Sequence, residues 1–439
     1  MNRTKSVADL RSAVAGPVYL PGDGGFDAAA RPWNTAVAQT AAAVVDIADA
    51  ADAVAVVNYA RDRGLGVTTQ PNGHGASGNL RDDVILVRTS KLNQITVDPT
   101  TATAQVGAGA SWGDLLTAAQ PHQLVGLAGS SGAVSVAGYT LGGGLSWFGR
   151  ARGWASDAVT AFGVVDAKGN STRITLNSDP DLFWALRGGG GDFALVTSLE
   201  FGLFPAPAIY GGRMLWPADR APQVLDAFRE VTTHAPDELT VWFQRLQFPS
   251  APPMVGIDTT YLGDLTQGHD LLQGFDRIDG RLADTRKALA PADIGGITGE
   301  PTNPTAGTSR TEILTHLDDT AATALLEPID PLFNLQVRHL GGAFTRHSDS
   351  AAGTLTDPYC VIFSAAAPTR PAAVASNDRI QSFRRALAPY LGTRIPFTFL
   401  TPGDTAVRAF TPDTLSRLRQ VKSSRDPRNV FTSNFPINT

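Results

Sequence analysis

Apolar positions in the first two hundred residues follow two periods in alternation. Across 48–63, Val54, Val57 and Ala60 fall on one helical face with Asp52, Arg61 and Asp62 opposite, which predicts a helix closed by Gly64. Stretches 67–70 and 83–88 read as short buried strands flanking a turn-rich segment. Further strands are predicted over 95–98, 103–106, 161–165 and 171–175, with helices over 112–119 and 179–187. Helices and strands interleaved in this way indicate an α+β domain.

Beyond Pro205 and Pro207 the pattern changes. Runs 240–248 and 255–261 alternate as antiparallel strands with one wet face, so a second domain is expected to begin near Ile209. Helical patterns follow over 220–233, 267–278 and 318–325, then strands over 335–339 and 359–365 and a helix over 377–388. A last helix over 411–423 is opened by Thr411-Pro412-Asp413 as cap and first turn. No internal repeat is visible.

At 439 residues the chain exceeds the roughly 250 to 300 residues at which one core stops growing, so about two or three packed units are expected. Charged residues make up 18% and hydrophobic residues 43%, enough apolar material for a large interior. A net charge of −5 without a basic block argues against nucleic acid as a partner. The lone Cys360 allows no internal disulfide, and 1–15 lacks the cationic start and apolar run of a secretory signal, which together predict a cytoplasmic protein. The most apolar stretch, 41–57, is broken by Asp46, Asp49 and Asp52, so no membrane span is expected.

More than half of the 44 glycines fall between Gly64 and Phe204. Glycine at that density costs conformational entropy, which points to loops that approach something closely. Three clusters stand out. Gln70-Pro71-Asn72-Gly73-His74-Gly75-Ala76-Ser77-Gly78 follows a strand and offers successive backbone N–H groups as an anion nest, with Ser77 as a further donor. A strand-to-strand turn with an exposed histidine is the competing reading. The second cluster, 126–144, fits neither a P-loop nor a dinucleotide Rossmann unit, leaving room for a flat, large cofactor with a phosphate tail. The third, 182–198, joins a helix to a strand through Gly188-Gly189-Gly190-Gly191. Three such clusters at the ends of neighbouring elements argue for one shared ligand.

The histidine loop, Val106-Gly107-Ala108-Gly109-Ala110-Ser111-Trp112-Gly113-Asp114-Leu115, the Gly138–Gly144 run, Ala155-Ser156-Asp157-Ala158-Val159, 181–201 and Asp426-Pro427-Arg428-Asn429-Val430-Phe431 are similar, in order, to motifs of one family. The chain resembles the FAD-linked oxidases of the vanillyl-alcohol-oxidase and para-cresol-methylhydroxylase (PCMH) superfamily, in the berberine-bridge-enzyme-like branch. The resemblance implies a two-subdomain PCMH-type FAD-binding domain over 1–208. It also implies a substrate domain over 209–400, an antiparallel sheet flanked by helices, and a segment over 401–439 that returns to the FAD domain.

It implies further that His74 is the residue bonded to the flavin 8α-methyl. FAD contacts would come from Pro71, Asn72, Gly73, Gly75, Ala76 and Ser77, from Gly129, Ser130, Ser131, Val134, Ser135, Gly138, Tyr139, Gly142, Gly143 and Leu145, and from Val196 and Asn434. Ser131 stands where many relatives carry a second, cysteine link. A serine hydroxyl is far too weak an acid to replace a thiolate there, so attachment through His74 alone is expected. Val134 falls where a small valine goes with oxygen access in the family's oxidases. Tyr139 replaces a residue, often histidine, that faces the ribityl chain and pyrimidine edge.

The family's catalytic bases fall by alignment near Pro396-Phe397-Thr398-Phe399 and Tyr359-Cys360-Val361, where this chain has no matching base. The base is therefore open among Tyr139, Tyr261, His339, Tyr359 and Cys360. Arg338 and His339 read equally as a structural pair. The expected activity is oxidation of an organic alcohol or secondary metabolite, bound in an apolar cleft near Trp242, Phe243 and Tyr261, with O2 as acceptor. A dehydrogenase using another acceptor, and a flavin-holding protein without turnover, are the alternatives.

Overall fold

The computed structural model describes residues 7–438; the first six residues of the N-terminal stretch considered above, and Thr439, lie outside them. Three larger sheets, beside a two-stranded one of Leu124–Val125 and Phe204–Pro205, organise the described residues. In the first, Val18–Tyr19, Ala43–Asp46, Val84–Arg88 and Gly66–Thr69 lie in that order, the last three parallel. Val84–Arg88 is buried at every position, as a central parallel strand must be. The helix Ala50–Arg63 covers this sheet; Asp49 caps it by accepting from the Asp52 N–H, and Gly64 ends it in the left-handed region.

The second sheet is antiparallel, in the order Ile95–Asp98, Thr103–Gly107, Leu195–Gly202, Val159–Val165, Ser171–Ile174. The third has eight strands, all antiparallel. Its order is Ala283–Asp284, Ile209–Pro217, Met254–Leu262, Leu239–Leu246, Asn334–His339, Tyr359–Ala366, Gly307–Leu314, and the short Lys287–Ala288 also pairs with Ile209–Pro217.

Side chains alternate across that large sheet. Val241, Phe243, Ile257, Tyr261, Leu335, Val337, Val361 and Phe363 pack on the helices Ala221–His234, Asp319–Leu326 and Arg370–Ala386 through Val224, Phe228, Leu325, Ile380 and Phe383. Trp242, Ile313 and Cys360 point the other way and share a core with Trp147, Leu186 and Phe193 from the glycine-rich region. One face of the sheet therefore belongs to the helices and the other to the glycine loops.

The chain's end is held at the first sheet. Val67 forms a parallel bridge with Phe431, and the Asp192 carboxylate accepts from the Ser433 and Ile437 N–H groups. Buried Lys422, on the helix Pro412–Arg425, donates through Nζ to the carbonyls of Asp192 and Phe431 and to Asp426 Oδ2, each at 2.7 Å.

Four expectations change. The helix expected over 267–278 is two short ones, Leu265–Asp270 and Gln273–Asp276, in a segment weakened by Gly268 and Gly274. The helix expected over 377–388 is Arg370–Ala386, starting earlier because Thr369 caps it and Pro371 fits its first turn. The strands Ile209–Pro217 and Gly307–Leu314 have no clean sequence signature. Gly211 is there because the Thr259 carbonyl would lie 2.5 Å from a β-carbon, a close backbone approach that empties the strand of pattern. Finally, Ala43–Asp46 is a strand inside the apolar stretch 41–57. Among the described residues no helix is long and apolar enough to cross a membrane.

Candidate active site

The histidine loop leaves the strand Gly66–Thr69 and is fixed from three sides. Buried Arg88 donates to the carbonyls of Ala29, Gln70, Ala30 and Arg31. Asn72 Nδ2 donates to the Ala133 carbonyl at 2.9 Å, and Gln70 Nε2 to Asn434 Oδ1 at 2.8 Å. Gly73 is at φ +76° with Pro32 only 2.8 Å from where a β-carbon would sit, so no other residue fits there without movement.

On this loop the His74 ring stacks on Trp33, with centroids 4.1 Å apart and planes at 20°. Its Nδ1 lies 2.9 Å from Asn72 Oδ1. The Asn72 amide orientation is set by its own donation to Ala133, so Oδ1 is the acceptor, Nδ1 carries the proton and Nε2 keeps its lone pair. Burial pushes the His74 pKa down to about 4, so the ring is neutral near pH 7.

The second glycine run is laced to 110–113. Val136 N–H donates to Ala110, Trp112 N–H to Val134 and Gly113 N–H to Gly132, at 2.9 to 3.0 Å. Ser135 then caps the helix Val136–Leu141 by accepting from the Gly138 N–H. Tyr139 projects from this helix against Gly129 and Gly144; a β-carbon on Gly144, which has φ +77°, would lie 2.4 Å from the ring. The Tyr139 hydroxyl is enclosed and has no hydrogen-bond partner among the described residues.

The third run joins the second through Gly190 N–H to the Leu141 carbonyl, 2.9 Å, and Thr398 N–H reaches the Gly142 carbonyl at 3.1 Å. Phe397 packs on Gly190. Buried Leu145 and Val196 underlie the same region, and Ser131 is buried in the loop that Asn72 grips. Ser130 lends its carbonyl to Thr298, and the Ser77 oxygen accepts from the Asn79 N–H, leaving its proton free to donate. Thus Pro71, Gly75 and Ala76 share one loop with His74, and that loop, both later runs and Asn434 form one connected set.

The candidate bases divide by face. Tyr261, His339 and Tyr359 lie on the helix-covered side of the large sheet, with Phe243. Tyr261 packs against Tyr210 and Gly268, and the Tyr359 hydroxyl pairs with Thr232 Oγ1 at 2.9 Å. His339 Nε2 accepts from Arg150 at 3.0 Å, and burial, with the Arg150 charge, pushes its pKa down to about 3. Arg150 also donates to carbonyls of Leu239, Leu340, Ala235 and Pro236, so this pair is a structural stitch.

Cys360 and Tyr139 are on the loop side, but burial pushes the Cys360 thiol up to about 12 and the Tyr139 phenol well above its usual range. The residue that sequence reasoning did not single out for the site is Arg338. It shares the loop-side face with Trp242 and Cys360, its guanidinium carbon 3.8 Å from the centre of the Trp242 ring. The signal was available in the two-residue period: 336 and 338 oppose 335, 337 and 339.

Residues 41–175 match the family model for an FAD binding domain. The (R)-6-hydroxynicotine oxidase of Paenarthrobacter nicotinovorans is 30% identical over 252 residues, 56% of this chain and 55% of that protein. An FAD-dependent monooxygenase of Cochliobolus heterostrophus is 33% identical over 205 residues, 45% of this chain and 39% of the relative. The matched part of the chain thus spans about half the length, or less, of these curated relatives. The solved structure of BBE-like 1 from Physcomitrella patens shares the fold, with a TM-score of 0.86 at 20% identity over 98% of both chains.

Fold, glycine loops and matched domain define a flavin-nucleotide-binding α+β protein. Residues 41–175 form an FAD binding domain, and the chain as a whole has the fold of the BBE-like flavoproteins. Its own residues fit FAD: connected loops closed to larger side chains, a neutral histidine, and an enclosed phenol without a hydrogen-bond partner among the described residues.

Proposed function

We propose that the chain is an FAD-dependent oxidase that holds its flavin through one bond to His74 and acts on a small organic alcohol or secondary metabolite. The observation that carries this reading is the convergence of three glycine-rich loops beside a histidine whose Nε2 is unprotonated. When bound, FAD supplies the hydride acceptor and returns to the oxidised state with O2, giving hydrogen peroxide.

His74 provides the nitrogen lone pair, and Asn72 holds the tautomer that exposes it. Gly129, Ser130, Ser131, Val134, Ser135, Gly138, Gly142 and Gly143 would surround the cofactor, with Ser131 offering no second attachment. Val134 is small, which supports oxygen access. Tyr139 stays protonated under its burial and donates rather than accepts a proton. The same reading divides the chain into 1–208 for cofactor, 209–400 for substrate and 401–439 as a returning segment. Relatives described as a 6-hydroxynicotine oxidase and a chitooligosaccharide oxidase support a small organic substrate.

Anaerobic reduction by a panel of alcohols, amines, sugars and phenols, followed by stopped-flow mixing with air-saturated buffer, tests the proposal. Rapid reoxidation with stoichiometric peroxide is expected. Slow reoxidation would make it a dehydrogenase, and no reduction by any compound a flavin-holding protein without turnover.

A further inference from the structure

Four arginines among the described residues are buried, and three of them are strongly partnered. Arg187 donates to the Asp349 carbonyl at 2.9 Å and pairs with the Asp349 carboxylate at 3.0 Å. Arg88 donates to four backbone carbonyls, and Arg150 to four carbonyls and to His339. Arg338 is 6% exposed, yet its one hydrogen bond among the described residues runs from Nε to Gln336 Oε1, at 2.6 Å. No carboxylate lies within ion-pair distance of it among those residues. Asp258, the buried acid nearest in its field, is taken by Arg213 at 2.6 and 2.9 Å and by Gln244, while Glu300 stays exposed. A buried cation without a counter-charge is costly unless a ligand completes it.

Its surroundings fit a ligand. The guanidinium lies over Trp242, which itself stacks on Trp147 at 3.5 Å, so the fork is held by packing and by its one bond to Gln336, with its outer nitrogens left over. Phe399 is 5.6 Å from it, in the segment whose Thr398 is bonded to Gly142. Tyr139 is close enough for the arginine's charge to oppose the rise in its phenol pKa. Two groups with donors left unused among the described residues, the Tyr139 hydroxyl from the glycine run and the outer nitrogens of Arg338 from the large sheet, thus flank the segment that carries Thr398 and Phe399. A fixed guanidinium edge and a hydroxyl donor match a planar carboxylate.

We propose that the substrate of this site carries a carboxylate, received by Arg338 with the Tyr139 hydroxyl as second donor. The inference rests on the flavoprotein reading, which it deepens by naming the substrate class. It makes Arg338 a specificity residue rather than part of the sheet's scaffold.

The test titrates purified holoprotein with benzoate, phenylacetate and 3-phenylpropionate, each beside its primary amide, followed by the flavin's visible spectrum and by calorimetry. At least one acid should bind saturably and about tenfold or more tighter than its amide, the worth of a charge-assisted hydrogen bond. Arg338→Gln should abolish that preference, Arg338→Lys should keep part of it, and Tyr139→Phe should weaken it; the lysine variant serves if glutamine does not fold. Equal binding of acid and amide, no binding of any acid, or an unchanged preference in Arg338→Gln overturns the proposal. So does intact acid binding with a lowered flavin reduction potential in that variant, which would assign the cation to the cofactor. Because calorimetry needs no turnover, acid binding without reduction by any substrate would sink the oxidase reading alone.

Discussion

His74 Nδ1 and Asn72 Oδ1 are 2.9 Å apart, and the same Asn72 side chain anchors the loop to Ala133 through its amide nitrogen. One residue therefore sets both the tautomer of the histidine and the distance between two glycine loops. Asn72→Ala removes both, whereas Asn72→Asp keeps an acceptor for the Nδ1 proton and loses the donor to Ala133. Slower flavin attachment is expected in both variants, more in alanine than in aspartate, read as the fraction of flavin retained by the denatured protein over time.

Gly144 faces the Tyr139 ring with no room for a β-carbon and with φ +77°. Gly144→Ala should lower unfolding free energy by about 2–4 kcal/mol, combining backbone strain with overpacking. Denaturant unfolding checks this, and flavin content should fall with it, since Tyr139 must shift to accept the methyl group.

Lys422 ties the C-terminal segment to the FAD-binding fold. Lys422→Ala leaves Asp426 buried and unpaired beside the Val430 and Phe431 N–H groups, and a loss of about 3–5 kcal/mol is expected, the scale for breaking a buried pair. Limited proteolysis should cut the variant first near its C-terminus, because Asp192 and Phe431 lose their shared donor.

Acid should weaken the fold through its buried histidines. His339 titrates at about 3 in the fold against 6.5 when free, so its neutral form is favoured in the native state. The unfolded chain binds the proton first, and the stabilisation present above pH 6.5 is lost as pH falls toward 3. His74 acts in the same direction, down to about 4. Unfolding free energies at pH 7.5 and 5 should therefore differ less in His339→Gln than in the parent protein.

Much of this was legible in the chain. Glycine clusters and the histidine loop mark the cofactor region because close backbone approach leaves a compositional trace. Val84–Arg88 shows as an apolar run because it is buried on both faces. Met254–Leu262 shows by its alternation, yet 255–261 is buried on both faces and the expected wet face is absent, because Asp258 and Thr260 turn toward the glycine-rich side rather than to water. Ile209–Pro217 did not, since Gly211 and Gly212 give way to neighbouring backbone rather than fill a core. The split of Tyr261, His339 and Tyr359 from Arg338 and Cys360 depends on strand register in a sheet built from distant segments. One residue of offset reverses the face, which local sequence cannot fix.

Acid precipitation of the purified protein tests the central claim most directly. The account predicts that the yellow colour stays with the pelleted wild-type chain, adding one FAD to its mass, and is washed out of a folded His74→Ala variant. Colour released from the wild type into the supernatant, or retained by His74→Ala, would contradict it.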